Sequence, residues 1–142
     1  DAAAGAARHL GALAPPLPGR MFPLEYASRL ERHADGFRSQ EVAGAPNAHT
    51  RIEVIERGPG LWRYALYPRS GQMHQLRAQM SALGAPIVND GWYPTAQPSG
   101  PDDYSRPLQL LAQRVSFVDP VTGELREFCS RLCLAGFESA PD

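Results

Sequence analysis

The feature that most restricts the fold is a pair of β-rich segments, residues 50–56 and 61–67, separated by the turn sequence RGPG. In the second segment, Trp62, Tyr64 and Leu66 share one face of an extended chain. Period-two alternation is typical of a half-buried strand, and a Gly/Pro turn between two such strands favours a hairpin. The two segments therefore predict an antiparallel hairpin.

A second hairpin is predicted further along the chain, where residues 108–117 and 125–134 flank the turn sequence DPVTGE. Between the two hairpins, residues 85–90 are expected to form a short buried strand or an extended segment. Residues 91–107 are rich in proline and glycine and predict a long loop, which is uncommon unless it is functional or mobile.

One segment between the hairpins, RSGQMHQLRAQM, has a helical pattern. Leu76, Met80 and Leu83 recur at helical spacing, which predicts a helix that begins near Ser70 and ends before Gly84. Taken alone, this pattern is explained by an apolar stripe packed on a sheet and a solvated polar face. Together, the hairpins and the helix predict an α+β fold, with a mixed, mainly antiparallel sheet and packed helices.

The length of 142 residues fits one domain. Residues 1–20 are rich in Ala, Gly and Pro and predict a flexible lead-in, whereas residues 21–142 are predicted to form the folded part. Residues 21–40 mix turn and helical signals and predict no regular element. Because the first residue is Asp1 and no signal peptide is recognisable, we expect the chain to be a piece of a longer protein.

Composition excludes several classes of protein. No apolar run approaches the roughly 18 residues that a membrane span requires, so no membrane association is expected. The two cysteines, Cys129 and Cys133, are expected to be a reduced pair of small buried residues, as in a cytoplasmic protein. No further cysteine or histidine cluster completes a set of four ligands, so no metal site is predicted.

The charge is unevenly distributed, although the formal net charge is only −1. Residues 57–89 contain no Asp or Glu but include Arg57, Arg63, Arg69 and Arg77, which predicts a positive local field. All 14 basic residues are arginine. A GC-rich genome would explain this bias, but arginine also binds phosphate in a bidentate fork and stacks on bases, so the bias suits an RNA partner.

Three segments, in the same order, resemble segments of the RluA-type RNA pseudouridine synthases. Residues 47–57, NAHTRIEVIER, are similar to the family's AxTxYxVLER strand. Residues 70–90, SGQMHQLRAQMSALGAPIVND, resemble TGRxHQLRxHMxxLGxPIxGD. Residues 108–128, LQLLAQRVSFVDPVTGELREF, resemble LxLHAxxLxFxHPxTGExxxF. The order and spacing of the three segments make the resemblance specific, whereas a single HQLR sequence would be weak evidence for the family.

The resemblance implies a partial pseudouridine synthase catalytic domain with an RNA cleft across its sheet. It also implies conversion of uridine to pseudouridine in rRNA or tRNA without a cofactor. In that family an aspartate acts on a flipped-out uridine, the bond from N1 to C1′ breaks, and the uracil rejoins through C5. Arg77, the last residue of HQLR, is implied to be the catalytic arginine that pairs with this aspartate.

The other candidate residues keep two explanations each. His74 and Gln75 match residues of the family motif, and each either binds the substrate or makes a structural hydrogen bond. Arg63 and Arg69 are candidates for contacts with RNA phosphates, or else belong to a solvated surface. Asp90 matches the aspartate of the family's GD step and is expected to brace a turn.

The chain also departs from the family. Gln72, Gln79, Asn89 and Leu111 stand where the family has arginine, histidine, glycine and histidine, which puts substrate contacts or activity in question. The aspartate-bearing motif HRLDxxTSG is absent. The segment SRLERHADG, with Glu31 at the position of the aspartate, resembles it superficially but lies too close in sequence to the predicted helix. We therefore expect the aspartate to lie upstream, in a missing N-terminal half, and this chain alone to be inactive.

Three hypotheses for the function follow. The first is that the chain is the C-terminal part of an RNA pseudouridine synthase. The second is a catalytically inactive RNA-binding module on the same scaffold, which the departures would allow. The third is a structural interaction domain. The sequence immediately upstream of Asp1 discriminates between the first two.

Overall fold

The computed structural model describes residues 7–95, 106–132 and 134 of the chain. Seven strands and one helix lie in this described part. They are β1 (Ala7–Ala14), β2 (Leu24–Arg32), β3 (Ser39–Val42), β4 (Ala48–Arg57), β5 (Trp62–Pro68), α1 (Gln75–Ala82), β6 (Leu110–Val118) and β7 (Leu125–Cys129).

The strands form one sheet in the order β3-β2-β4-β5-β1-β6-β7. Every pairing between described strands is antiparallel. The predicted antiparallel character of the sheet is therefore confirmed. The predicted packed helices are not, because the described residues contain a single helix of eight residues. One reason is that the mixed signals of residues 21–40 belong to strands.

Both predicted hairpins are confirmed. β4 pairs with β5 across RGPG, and β6 pairs with β7 across DPVTGE. Tyr64 and Leu66 are fully buried in the main core, and Trp62 packs against that core from its edge. Ile52 pairs with Leu66 across the hairpin and lies in the same core. The alternation along the sequence therefore identified the buried face correctly.

β1 contradicts the predicted flexible lead-in at residues 1–20. It lies in the interior of the sheet, paired with β5 on one side and β6 on the other. Ala12 and Leu13 are both fully buried, although neighbouring residues of a strand point to opposite faces. A strand buried on both faces shows no polar alternation, and the small residues of β1 give it the composition of a linker. Residues 1–6 lie outside the described residues.

Residues 21–40 contain β2 and the start of β3, where the sequence predicts no regular element. Ser28 and Leu30 are the buried residues of β2 and point to the same face as the helix. Because a serine stands on the core face and charged residues alternate with it, the apolar pattern of a strand is broken. Polar residues on a core face thus hid this strand from sequence reasoning.

The segment that follows α1 packs on the core and leads to Asp90. Ile87 is 2% exposed and lies in the main core. The backbone N–H of Val88 donates to Leu13 O at 2.9 Å, and that of Gln109 donates to Val88 O at 3.0 Å. The predicted strand is not observed: residues 85–87 have no regular secondary structure, and residues 88 and 89 form a turn.

The exposure of β7, at the far edge of the sheet, contradicts the predicted burial of Cys129. All five residues of β7 are exposed, so Cys129 is an exposed free thiol, not half of a buried pair. Cys133 lies outside the described residues. Within the described ranges, no helix combines the length and apolar character needed to cross a lipid bilayer.

Candidate active site

The helix that carries the candidate residues begins later than predicted. α1 starts at Gln75, and the preceding His74 adopts the left-handed conformation, with φ 53°. Ser70 does not cap the helix. Its hydroxyl donates to Oε1 of Gln75 at 2.9 Å and accepts from the backbone N–H of His49 at 2.9 Å. Residues 70–74 therefore tie the helix start to β4 instead of extending the helix.

Gln75 is a buried bracing residue, only 4% exposed. Its Nε2 donates to the backbone oxygen of His49 at 3.0 Å and to Oγ1 of Thr50 at 2.9 Å. Its Oε1 accepts from the hydroxyl of Ser70 and from the backbone N–H of Gln72. Both amide hydrogens and both oxygen lone pairs are thus in use, so the predicted role of Gln75 in binding substrate does not fit the structure.

Gln79, which stands where the related family has histidine, is also buried, at 1% exposure. Its Oε1 accepts from the hydroxyl of Thr50 at 2.6 Å. Its Nε2 donates to the hydroxyl of Ser28 at 3.0 Å and to the backbone oxygen of Ala48 at 3.2 Å. Gln79 therefore connects α1 to β2 and β4 by hydrogen bonds. This departure from the family alters the support of the helix, not a surface that substrate could reach.

Replacing Gln79 with leucine is expected to lower the free energy of unfolding by about 2 to 4 kcal/mol, because buried polar partners lose their hydrogen bonds. The control is Gln72→Leu, since Gln72 is exposed and its side chain donates one hydrogen bond, to Asn47 O at 3.2 Å. We expect that variant to change stability by less than about 0.5 kcal/mol. Urea unfolding measures the free energy of unfolding of both variants. Equal losses in the two would contradict the buried bracing role of Gln79.

Arg77, the predicted catalytic residue, forms a two-pronged ion pair with Asp90. Its Nε lies 3.0 Å from Oδ2 of Asp90, and its Nη2 lies 2.6 Å from Oδ1. The side chain of Asp90 is fully buried and that of Arg77 is 19% exposed. The guanidinium also lies 5.4 Å from the ring centroids of Trp92 and Tyr93. Arg77 thus has a carboxylate partner within this chain, Asp90, for which the sequence predicted only a turn-bracing role.

Asp90 is held by a turn as well as by Arg77. Its Oδ1 accepts from the backbone N–H of Trp92 at 2.9 Å and of Tyr93 at 3.2 Å. The preceding Asn89 has φ 65°, a left-handed conformation that asparagine tolerates better than most residues. Asparagine therefore fits the position where the related family has glycine. The expected turn-bracing role of Asp90 agrees with this geometry.

His74 contacts the same turn. Its Nδ1 lies 3.1 Å from the hydroxyl of Tyr93, which accepts from the backbone N–H of Ser39 at 2.7 Å. The Tyr93 hydroxyl and Nδ1 of His74 share one hydrogen, and which of them donates it depends on the tautomer of the imidazole. Burial lowers the pKa of His74 from its ordinary value of 6.5, Arg77 lowers it further, and Asp90 opposes both. The site thus favours a neutral imidazole.

The lowered pKa of His74 predicts a pH dependence of stability. Between the ordinary value of 6.5 and the lower folded value, the unfolded chain binds more protons, so the free energy of unfolding falls as the pH decreases. Above about pH 6.5 this contribution is complete. The variant His74→Asn suits the left-handed backbone and does not titrate, so it should flatten the slope.

Urea unfolding of both proteins between pH 7.5 and 5 checks this expectation. His9 has a pKa lowered by burial and by Arg114, so it adds a slope of the same sign that remains in the variant. Identical slopes in the two proteins would contradict the assigned role of His74.

The two arginines predicted to contact phosphate lie at opposite ends of β5. Arg69 directly follows the strand, at the end of the sheet where α1 begins, and forms an exposed ion pair with Glu25 at 3.2 Å. Arg63 lies near the start of the strand, about 20 Å away at the usual rise per residue, and pairs with Glu56. The structure therefore brings Arg69, and not Arg63, to the end of the sheet that holds Arg77.

Glu31, the residue that superficially matches the family's aspartate, points away from the helix. Its neighbour Leu30 packs in a core cluster with Ala78 of α1, so Glu31 lies on the opposite face of the sheet. There it accepts from Nε of Arg29 at 3.0 Å. Among the described residues, Asp90 is the one acid that makes a hydrogen bond to Arg77.

Sequence reasoning missed the turn between β2 and β3, which lies beside the site. Oδ1 of Asp35 accepts from the backbone N–H of Phe37 at 2.8 Å and of Arg38 at 3.0 Å, as Asp90 does in its own turn. Nη1 of Arg38 donates to the backbone oxygens of Trp92 and Pro94, each at 3.4 Å. The signal that marks both turns is Asp-Gly followed by an aromatic residue, present as DGF and DGW.

Comparisons with known proteins add to this geometry. No family model matches the chain. The chain is 41% identical over 83 residues to the dual-specificity RNA pseudouridine synthase RluA of Yersinia pestis, a match that covers 58% of this chain and 39% of that protein. It is 39% identical over 84 residues to the protein of the same name from Haemophilus influenzae, covering 57% and 36%. The resemblance to the RluA-type pseudouridine synthases is confirmed.

A solved structure shows a likeness at the level of the fold. The human RNA pseudouridylate synthase domain containing 1 superposes with a TM-score of 0.67 and 22% sequence identity, over 88% of this chain and 54% of that one. The chain spans 39% and 36% of the length of the two bacterial RluA proteins. Both RluA proteins are thus more than twice as long as the part that they share with this chain.

Proposed function

We propose that the full-length protein is an RNA pseudouridine synthase that isomerises uridine in rRNA or tRNA without a cofactor. In this proposal the present chain supplies the arginine half of the active site and part of the RNA cleft. The observation that carries it is the fixed guanidinium of Arg77, held by a buried carboxylate at the end of the HQLR segment. Relatives that are 41% and 39% identical to this chain are named RNA pseudouridine synthases, which supports the same function here.

The hydrogen-bonding capacity of Arg77 supports this role. A guanidinium has five N–H donors. Asp90 accepts one from Nε and one from Nη2, which leaves three, two of them on Nη1. No hydrogen bond within the described ranges uses Nη1. Arg77 can therefore hold Asp90 and a second carboxylate at the same time, with Asp90 fixing the plane of the guanidinium.

The second carboxylate in this proposal is the aspartate implied by the family resemblance, supplied by a segment outside this sequence. A carboxylate that acts on a flipped uridine has to stay ionised in a site from which water is largely excluded. A neighbouring guanidinium stabilises the ionised form through charge and through two parallel hydrogen bonds. The aspartate breaks and remakes the glycosidic bond, while Arg77 keeps it charged and oriented.

Two further residues have proposed contacts with RNA. In this proposal the Tyr93 hydroxyl donates to Nδ1 of neutral His74, so that Nε2 carries the ring proton and can donate to an oxygen of the substrate. Arg69, with 60% of its side chain exposed, can exchange Glu25 for a phosphate. Arg63 would contribute only to an RNA that extends along β5 to the far end of the sheet.

The proposal is tested by incubating the full-length protein with rRNA and tRNA transcripts that carry tritium at C5 of uridine. Attachment of C1′ to C5 releases that tritium, so its release into water measures the reaction. We expect release by the full-length protein and none by the present chain alone. RNA binding without tritium release would support the inactive RNA-binding module instead. A cytoplasmic location stays a prediction that fractionation of cells can check.

A further inference from the structure

Two exposed aromatic side chains lie beside the candidate active site. Phe37 is 67% exposed and Trp92 is 41% exposed. Their ring centroids are 6.5 Å apart, in an edge-on arrangement with an interplanar angle of 69°. Neither residue lies in the core clusters. A large part of each ring is therefore open to solvent beside the candidate site.

The two rings are held in place before anything binds. Each follows an Asp-Gly step whose aspartate accepts the backbone N–H of the aromatic residue, at 2.8 Å for Phe37 and 2.9 Å for Trp92. Arg38 joins the two turns, because its Nε donates to Asp35 at 2.6 Å and its Nη1 donates to the backbone oxygen of Trp92. A preorganised surface loses little conformational entropy on binding.

The same surface is continuous with the groups assigned to the active site. The guanidinium carbon of Arg77 is 5.4 Å from the ring centroid of Trp92. The imidazole of His74 meets that ring edge-on, with centroids 5.2 Å apart. A ligand that contacts Trp92 is thus within reach of both residues.

We propose that Phe37 and Trp92 form a stacking platform for the unpaired RNA base next to the uridine that enters the active site. This inference rests on the proposed function. Flipping a nucleotide out of a stack leaves its neighbour without a stacking partner, at a cost of a few kcal/mol. An exposed aromatic ring can restore that stacking for any base, since every base has a π face. Guanidinium and imidazole groups at the rim suit a nucleotide better than an apolar protein segment.

The test uses the full-length protein and an RNA hairpin with the reactive uridine in its loop. Phe37→Ala is expected to raise the KM for this RNA about 5- to 100-fold, the range for loss of one stacked base, with a much smaller change in kcat. Phe37→Trp should restore the wild-type KM. Phe37→Leu should not, because leucine keeps an apolar side chain but has no π face. The control is Phe128→Ala, a 60% exposed phenylalanine on β7, at the opposite edge of the sheet from β3.

A second arm replaces the base next to the uridine by an abasic residue. The wild-type protein should lose affinity for this RNA by a factor similar to that caused by Phe37→Ala. The Phe37→Ala variant should lose little further affinity when the base is removed, since the two changes remove the same interaction. An unchanged KM for Phe37→Ala, or a KM that leucine restores, would overturn the platform while leaving the proposed function intact. A wild-type protein that neither binds RNA at low salt nor releases tritium would overturn both.

Discussion

Replacing Arg77 with lysine is expected to lower kcat for pseudouridine formation by the full-length protein about 10²- to 10³-fold, the usual cost of losing one fixed electrostatic contact to a reacting group. Lysine keeps the positive charge but lacks the planar fork that can hold two carboxylates at once. Because Arg77 now holds Asp90 through two of its nitrogens, a lysine can satisfy Asp90 or the second carboxylate, but not both in the same geometry. Tritium release under saturating RNA measures kcat.

The control for this experiment is Arg114→Lys, which makes the same chemical change in an exposed ion pair with Glu127, on β6 and β7. That substitution should change kcat less than about threefold, because exposed ion pairs contribute little. Circular dichroism and thermal unfolding establish whether each variant is folded. A folded Arg77→Lys protein with a nearly normal kcat would refute the catalytic assignment.

Replacing Asp90 with alanine is expected to lower the free energy of unfolding by about 3 to 5 kcal/mol, the usual cost of breaking a buried ion pair from one side. The loss has two sources. The largely buried guanidinium of Arg77 is left without its carboxylate, and the backbone N–H groups of Trp92 and Tyr93 lose their acceptor. Asp90→Asn should lose less, because the amide oxygen can still accept from the two backbone groups.

The chain contains a matched control in Asp119, whose Oδ1 also accepts from the backbone N–H groups two and three residues later. Its Oδ2 accepts from Nε of Arg126 at 3.3 Å, so the pattern of contacts repeats that of Asp90. The difference is that the hairpin turn of Asp119 is open to solvent. Asp119→Ala should therefore cost much less than Asp90→Ala in urea unfolding. Similar losses in the two variants would show that burial of the Asp90 pair is not what stabilises it.

The parts of the fold that could be predicted from the sequence are the two hairpins, in which β-rich segments flank a recognisable turn. Trp62, Tyr64 and Leu66 place large apolar side chains on one face of β5, and the turn sequence RGPG closes the hairpin, so local signals agree with the final fold. β1 could not be predicted because Ala12 and Leu13 are both buried, and a strand with two buried faces has no alternation to detect.

In the candidate site, too, some residues could be predicted from the sequence and others could not. Arg77 and His74 were identifiable from the HQLR segment, whose residues are adjacent in sequence. The partner of Arg77 was not, because Asp90 lies 13 positions later and is brought back by the turn after the helix. Gln75 belongs to the same motif as Arg77 but points into the core, since helical geometry places the two residues on different faces. A motif thus locates a site, and the fold decides which of its residues reach the surface.

The interior position of β1 also sets the order in which the sheet can be completed. Leu10 pairs with Leu66 on one side and with Ala112 on the other, roughly 55 and roughly 100 positions later in the chain. The β4–β5 and β6–β7 hairpins need only local contacts and can form early, but they are joined through a strand that is made before either of them. We therefore expect closure of the sheet to be a late, slow step of folding, before which both edges of β1 are unpaired. Conditions that slow this step should favour aggregation through β1.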